Sequence, residues 1–421
     1  MATTTLSETA MRSTLHNASS RAALPLHDMP RGRTTQNEPA NSDTNPSHTT
    51  VPEGGYGWVA LFACSVITWW FTGTTYSWGV IQSALVEQGL SQASTLSFVG
   101  SLTVSFVAIL AIANAGIVTT IGARNSGLIG VSLLGLGGLL GSFATHNLVV
   151  PAQYFQRKRG LANGLVYASG GLGGAAISLI MEKLVRSLGP PWTFRVISIL
   201  TLATGLPASW LIQERLPPTR RKKYVDWSLF TSLRFDLLFA AGVIATFPLF
   251  VPPFFLPMYC QSLGLAPSIG AAMVATFNAS SAIGRIGFGL LCDHLGALNV
   301  LFTALLLSGP FSDSLALLVV FAIWNGAANG GFFAVMPTVV GSVFGSQKVP
   351  LVMGMVVMGW AGGYLMGGPI AGYLLAANGG EGGGVEAYRP AMYYAGSLSI
   401  GAAVLVAFMR LSIDGRLLRK V

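Results

Sequence analysis

The stretch RKRGLANGLVYASGGLGGAAISLI, residues 157–180, sets three consecutive positive charges against an apolar run whose only polar groups are amides and hydroxyls. A bilayer offers no partners to backbone N–H and C=O groups. A helix of about 20 apolar residues satisfies them internally while crossing the hydrocarbon. The Arg157-Lys158-Arg159 cluster then marks the cytoplasmic end of that helix. The pattern returns further along: Lys158, Leu161, Gly164, Val166 and Gly173 recur 190 residues later as Lys348, Leu351, Gly354, Val356 and Gly363. An earlier landmark, Gly122-Ala123 with Asn125, recurs 174 residues on as Gly296-Ala297 with Asn299. The chain therefore reads as two parallel copies of one helical unit. The first copy is shorter by 190 − 174 = 16 residues between these landmarks.

Composition agrees with a membrane solvent. Of 421 residues, 52% are hydrophobic and 9% charged, too few charges to cover a water-soluble domain. The 52 glycines have no three-residue period, which excludes collagen and suits closely packed membrane helices. The net charge of +9 sits in short clusters between apolar runs, the mark of cytoplasmic loops, and never forms the stripe a nucleic acid would need. Cys64, Cys260 and Cys292 lie in or beside apolar stretches without CxxC spacing, so no disulfide framework, metal site or cofactor is expected.

Residues 1–50 are rich in Ser, Thr, Asn and Pro and read as a disordered cytoplasmic tail. No secretory signal precedes Gly57, so the first helix is expected to act as its own signal. Asn17-Ala18-Ser19 fits a glycosylation acceptor, but Arg12, Arg21, Arg31 and Arg33 favour the cytosol. Apolar runs at 57–81, 96–119, 126–145, 160–181, 193–212, 236–260, 268–292, 298–310, 314–340, 350–377 and 391–411 give eleven expected spans, with 298–310 short. Starting inside, three spans end outside near Thr145, and eleven residues (146–156) then separate that point from the Arg157 cluster. The charge rule therefore asks for another helix in the interval where the repeat is short. We expect an all-α integral membrane protein with two parallel-repeat helical bundles and eleven apparent spans of a twelve-helix plan, the fourth absent. Its parts are the 1–50 tail, an N-terminal bundle at 51–213, a basic cytoplasmic linker at 214–235, a C-terminal bundle at 236–411 and a cytoplasmic tail at 412–421.

Two motifs carry a resemblance. Pro52-Glu53-Gly54-Gly55-Tyr56-Gly57-Trp58 leads into the first span, and Tyr154-Phe155 precedes Arg157 through Gly164. Together they resemble the monocarboxylate porter family of the major facilitator superfamily. The resemblance runs from about Pro52 to about Leu411 and is nearest the fungal branch, whose members carry organic acids, riboflavin and secondary metabolites. It implies the superfamily's fold, with a substrate site between the halves. Gly289 through Gly296, with Asp293, looks like the superfamily's loop motif. The matching loop, Gly116 to Arg124, has Thr119 at the acidic position. Of the Lys, Asp and Arg linked to proton-coupled monocarboxylate movement in the family's animal members, the Lys falls on Tyr76 and the Asp on Ser281; Arg285 alone remains.

Physics singles out the same arginine. A guanidinium inside a span costs several kcal/mol and persists where a partner or an aqueous cavity compensates it. No carboxylate shares its span within reach, and Asp293 is eight residues along. Facing a cavity, Arg285 would clamp a carboxylate with two hydrogen bonds. Lying toward the cytoplasmic end, it would instead snorkel to water and pair with a loop acid such as Asp293. Asn278 lies two turns before it on the same face. Asn163, Asn325, Asn329 and Gln82 read as interhelical hydrogen bonders, with substrate contact the alternative. The expected substrate-binding residues are Arg285, Asn278, Asn329 and Tyr76. The expected gating or structural set is Gly289, Asp293, Gly296, Gly164, Gly354, Arg157, Lys158 and Arg159.

Small-residue faces (Gly160, Gly164, Gly170 and Gly174; Gly359, Gly363, Gly367, Gly368 and Gly372) allow close packing or sliding of neighbouring helices. Pro369 is expected to kink its helix, and Pro248, Pro252, Pro253 and Pro257 to make theirs irregular. Trp69, Trp70, Tyr76, Trp78, Trp360 and Tyr364 suit interface anchors, packing or a pocket for a planar substrate.

The chain has no GxxxxGK[ST] loop to drive transport with ATP, no clustered His, Asp or Glu for catalysis and no filter-like repeat for a channel. Secondary active or facilitative transport by alternating access remains, with a small organic anion or secondary metabolite as substrate. Import of a small monocarboxylate or a vitamin such as riboflavin is the alternative. A transporter-like receptor, or a non-functional truncated paralogue, is the alternative of another class. The expected partners are the small organic substrate, the lipid bilayer and, for coupling, protons; the expected location is the plasma membrane with both termini cytoplasmic.

Overall fold

The computed structural model describes residues 55–140, 159–213, 225–306, 314–345 and 348–413, which are helical almost throughout. In chain order these residues form α1 (Gly57–Tyr76), α2 (Trp78–Glu87), α3 (Ala93–Ile109), α4 (Ala111–Ile121), α5 (Ala123–Leu140) and α6 (Arg159–Trp210). They continue with α7 (Leu233–Leu249), α8 (Val251–Ser262), α9 (Pro267–Leu295), α10 (Ala297–Leu306), α11 (Leu315–Phe344), α12 (Val349–Ala377) and α13 (Arg389–Ile413). The residue 1–50 tail, Arg157, Lys158, the Arg220–Lys223 cluster and residues 414–421 lie outside the described part, as do the side chains of Arg159, Asn163 and Asp293.

The eleven expected spans correspond to these helices, with three of them broken. α1 and α2 meet at Ser77, α3 and α4 meet at Leu110 with a bend of 51°, and α7 and α8 meet at Phe250. Conversely, α6 holds two spans, folded back at Gly189 (φ 77°), where only glycine is unstrained. By length and apolarity alone, six helices among the described residues qualify as membrane crossings, seven if the bent α3–α4 pair is one. Of α10, ten residues are described. α12 continues without interruption through Pro369.

The internal repeat is written into the backbone. Gly122 (φ 85°) and Gly296 (φ 86°) end α4 and α9, and each is followed by an Asn whose amide turns back to a carbonyl: Asn125 to Ile121 at 3.0 Å and Asn299 to Leu295 at 2.8 Å. A further pair escaped the sequence reading. Gly89 and Gly264 close α2 and α8 with the same two bonds, Gly89 to Val86 and Leu90 to Leu85 in one, Gly264 to Gln261 and Leu265 to Cys260 in the other. Gly189 and Gly379, both with positive φ, keep the 190-residue offset to the next turn.

Helix directions locate the shortfall. α1 runs parallel to the first arm of α6: Ser169 bonds the Ser65 carbonyl, Gly173 packs on Trp69, and Ile177 packs on Gly73. α5 runs antiparallel to the second arm: Arg124 bonds the Ile212 carbonyl, Val131 meets Gly205, and Gly135 meets Leu202. The described end of α5 therefore lies on the side opposite to the described start of α6. In the second half the matching interval contains α10 and the 30-residue α11. Among the described residues the first half has a counterpart for α10 only, namely α5.

Backbone approach between the halves is set by glycine. A Cβ on Gly171 would lie 2.8 Å from the Asn278 carbonyl oxygen, and one on Gly372 would lie 2.6 Å from Ser94 Cα. Gly79 meets the Pro253 carbonyl on α8. Gly164, Gly289 and Gly354, by contrast, have open space where a Cβ would stand.

Candidate functional site

The break in the seventh span organises the site. In an unbroken helix the Leu249 carbonyl would accept from the N–H of residue 253, but Pro253 has none. Asn329, on α11, supplies the missing donor: its Nδ2 donates to the Leu249 oxygen at 3.1 Å. Its Oδ1 accepts from the Tyr76 hydroxyl at 2.9 Å, across the interface between halves. Asn329 also lines a cavity of about 30 Å³ with Asn325, Ser399, Pro248 and Phe321, room for a water-sized group beside the break.

Arg285 sits ten residues before the end of α9 and is only 4% exposed, so it does not snorkel to water. Its guanidinium donates to the backbone carbonyl of Tyr167, on the first arm of α6. The guanidinium carbon lies 5.7 Å from the centre of the Phe333 ring and 6.0 Å from that of Tyr76. Its Nε has no hydrogen-bond partner among the described residues. Among the described residues no carboxylate pairs with it. A membrane-inserted Arg costs about 2.5–3.5 kcal/mol on insertion scales. One charge-assisted bond and two ring faces offset part of that and leave the Nε edge for something else.

Aromatic rings close around this centre. Tyr76 stands 5.1 Å from Phe250 and 6.4 Å from Phe277, Phe250 stands 5.4 Å from Tyr364, and Phe333 stands 6.1 Å from Trp360. Of the residues expected from sequence, the structure thus brings Arg285, Tyr76 and Asn329 together, with Trp360 and Tyr364 in the surrounding shell. Asn278, two turns along α9, packs its amide on Gly174 and leaves Nδ2 without a partner among the described residues. Gln82 is fully buried, its amide likewise unpartnered among the described residues. The loop motif, from Gly289 to Gly296, lies at the end of α9, about one to three turns from Arg285. Sequence reasoning missed Phe333, which its position one turn after Asn329 would have revealed. It also missed the Tyr167 carbonyl, for which no side-chain signal exists.

The centre is built from both halves: α1 and α6 from the first, α7, α9, α11 and α12 from the second. Comparison with known proteins bears on what such a centre belongs to. The model of the Major Facilitator Superfamily matches residues 141–312. An aspyridones efflux protein of Emericella nidulans is 27% identical, over 86% of this chain and 80% of that protein. Monocarboxylate transporter 4 of Gallus gallus is 25% identical, over 79% of this chain and 80% of that protein. The chain spans only 66%, 61% and 60% of the length of three other fungal MFS-type transporters that it matches. Among solved structures, a bacterial homologue of the lysosomal transporter Spinster, inward-facing and unoccupied, superposes with a TM-score of 0.63 at 14% identity. It covers 86% of this chain and 99% of that one, which shows the fold. Family and fold are those of transporters rather than enzymes. With two parallel helical repeats, a centre shared between them and relatives that include a monocarboxylate transporter, the chain belongs to the major facilitator superfamily.

Proposed function

We propose that this protein is a secondary transporter that moves a small organic anion or secondary metabolite by alternating access, with Arg285 as the group that holds the anion. The observation that carries the reading is a buried guanidinium placed between the halves, bonded to a carbonyl and paired with no carboxylate among the described residues. An anionic ligand would supply the missing countercharge and accept from the free Nε. The efflux protein among the relatives favours a secondary metabolite over the alternative of a small monocarboxylate or vitamin taken up. The protein sits in the plasma membrane with both termini cytoplasmic, the arrangement the basic clusters favour. Protons couple, where they do, through the substrate's own acid group. Asn329, Tyr76 and Asn278 complete the binding residues. The gating set is the α9 loop motif, Gly289, Asp293 and Gly296, with Gly164, Gly354 and the Arg157-Lys158-Arg159 cluster at the starts of α6 and α12.

The test is flux of labelled organic acids and their neutral amides in proteoliposomes, with and without a pH gradient. Wild type is expected to move the acids, and Arg285→Gln to lose at least about tenfold in flux, the effect of removing a charge-assisted pair. Equal movement of acids and amides, with Arg285→Gln unchanged, would refute the anion reading. Binding without flux would identify a receptor, and neither binding nor flux a non-functional paralogue.

A further inference from the structure

We infer that Arg285, Ser281 and Asn278 form a ladder on one face of α9 that reads an elongated, oxygen-rich aromatic acid rather than a two- to four-carbon monocarboxylate. The inference rests on the anion reading of Arg285 and adds the size and chemistry of the rest of the substrate.

The face is fixed by the contacts on either side of it. Gly171 and Gly174 of α6 press on Asn278 and Ala282, and Gly326 and Gly330 of α11 press on the carbonyls of Phe277 and Ser281. Between these seams α9 turns toward the end of α1, where Tyr76 meets Phe277 and the Arg285 guanidinium. Residues 278 and 285, seven apart, share one direction and stand about 10 Å apart along the axis, with Ser281 between them and turned about 60° toward α11.

All three carry a polar atom without a partner among the described residues: Nε of Arg285, Oγ of Ser281 and Nδ2 of Asn278, in residues 4%, 0% and 1% exposed. Buried polar groups are nearly always satisfied, and three on one face, lined up in a transporter's centre, call for a ligand of matching length. A short monocarboxylate bonded to Arg285 ends before Asn278 and leaves the amide unmet. A planar acid with a second oxygen at its far end meets both, and its ring lies among Tyr76, Phe277 and Phe333.

The probes are cinnamate and 4-hydroxycinnamate, which share a carboxylate and a planar body and differ by a hydroxyl at the far end, with acetate as the short acid. Wild-type protein in proteoliposomes should favour 4-hydroxycinnamate over cinnamate by about tenfold in KM, since a site built to bond a hydroxyl rejects the analogue lacking it. Acetate should be the poorest of the three. Asn278→Leu should bring the ratio of the two aromatic acids close to one, and Ser281→Ala should lower it partway. Size-exclusion chromatography in detergent checks folding, and equilibrium binding of the labelled acids supplies the ratio where a variant loses flux. Equal KM for acetate and 4-hydroxycinnamate, or a ratio untouched by Asn278→Leu, overturns the ladder while the anion reading stands. Wild-type protein that moves no acid, or Arg285→Gln that moves them undiminished, overturns both.

Discussion

Asn329 uses both ends of its amide, and each end answers a different deficiency. Nδ2 replaces the donor that Pro253 cannot offer to Leu249, and Oδ1 receives the Tyr76 hydroxyl from the other half. Asn329→Leu keeps the volume and orphans both groups, at about 1–3 kcal/mol for each buried group left unpaired. Tyr76→Phe removes one donor and orphans only Oδ1. We expect thermal unfolding in detergent to rank Asn329→Leu below Tyr76→Phe. The double variant should be less destabilised than the sum of the two, because the second change removes a partner already lost. Strict additivity would show that the bond contributes nothing. At this scale the sequence was readable where a side chain is out of place in lipid: Arg285 and Asn329 stand out as polar groups in apolar runs. The Tyr167 carbonyl that Arg285 bonds is a backbone atom, identical in every residue, and only the folded chain singles it out.

Between elements, glycine decides how near two helices come, and its positions divide into two sets. Gly284, Gly326 and Gly330 along the α9–α11 seam each face a carbonyl of the opposite helix so closely that a methyl group would collide with it. Gly354 faces open space. Gly330→Ala should therefore cost about 1–3 kcal/mol, the usual penalty of overpacking, and lower the melting temperature. Gly354→Ala should leave it unchanged or raise it, since Ala exceeds Gly in helix propensity by about 1 kcal/mol. A reversed order would mean that the seam opens freely. The regular glycine faces of α6 and α12 were legible because each repeats within one helix, and Gly174, Gly367 and Gly372 do sit against neighbours. The α9–α11 seam was not, because its glycines are shared between two segments that only the fold brings together. The breaks follow the same division: four prolines announced the one at Phe250, whereas Ser77 and Leu110 carry no proline or glycine.

Across the whole molecule, one landmark pair of the repeat, Gly122 and Gly296, was legible because it sits at turns of positive φ, which glycine alone adopts cheaply, whereas Leu161 to Gly173 and Leu351 to Gly363 matched as residues within α6 and α12. The halves must also part at one side for a central site to open, and the seam between α3 and α12 bears on which side is shut. There Gly372 lies against Ser94, Ser105 donates to the Ala361 carbonyl at 3.0 Å, and the Glu381 carboxylate accepts from the Ala93 N–H at the start of α3. A negative group at a helix N-terminus is stabilising, so the contact holds this end closed. A Cβ on Gly368 would stand 3.5 Å from Ser97 Cβ, within the range a disulfide needs. The native Cys64, Cys260 and Cys292 are buried and form no disulfide among the described residues, which leaves an engineered pair readable. Ser97→Cys with Gly368→Cys should therefore cross-link under a membrane-permeant oxidant, stop flux, and regain it with reductant, while each single variant responds to neither reagent. Undiminished flux from fully cross-linked protein would mean that the α3–α12 seam stays shut throughout the cycle, and that the halves rock about it rather than separate along it.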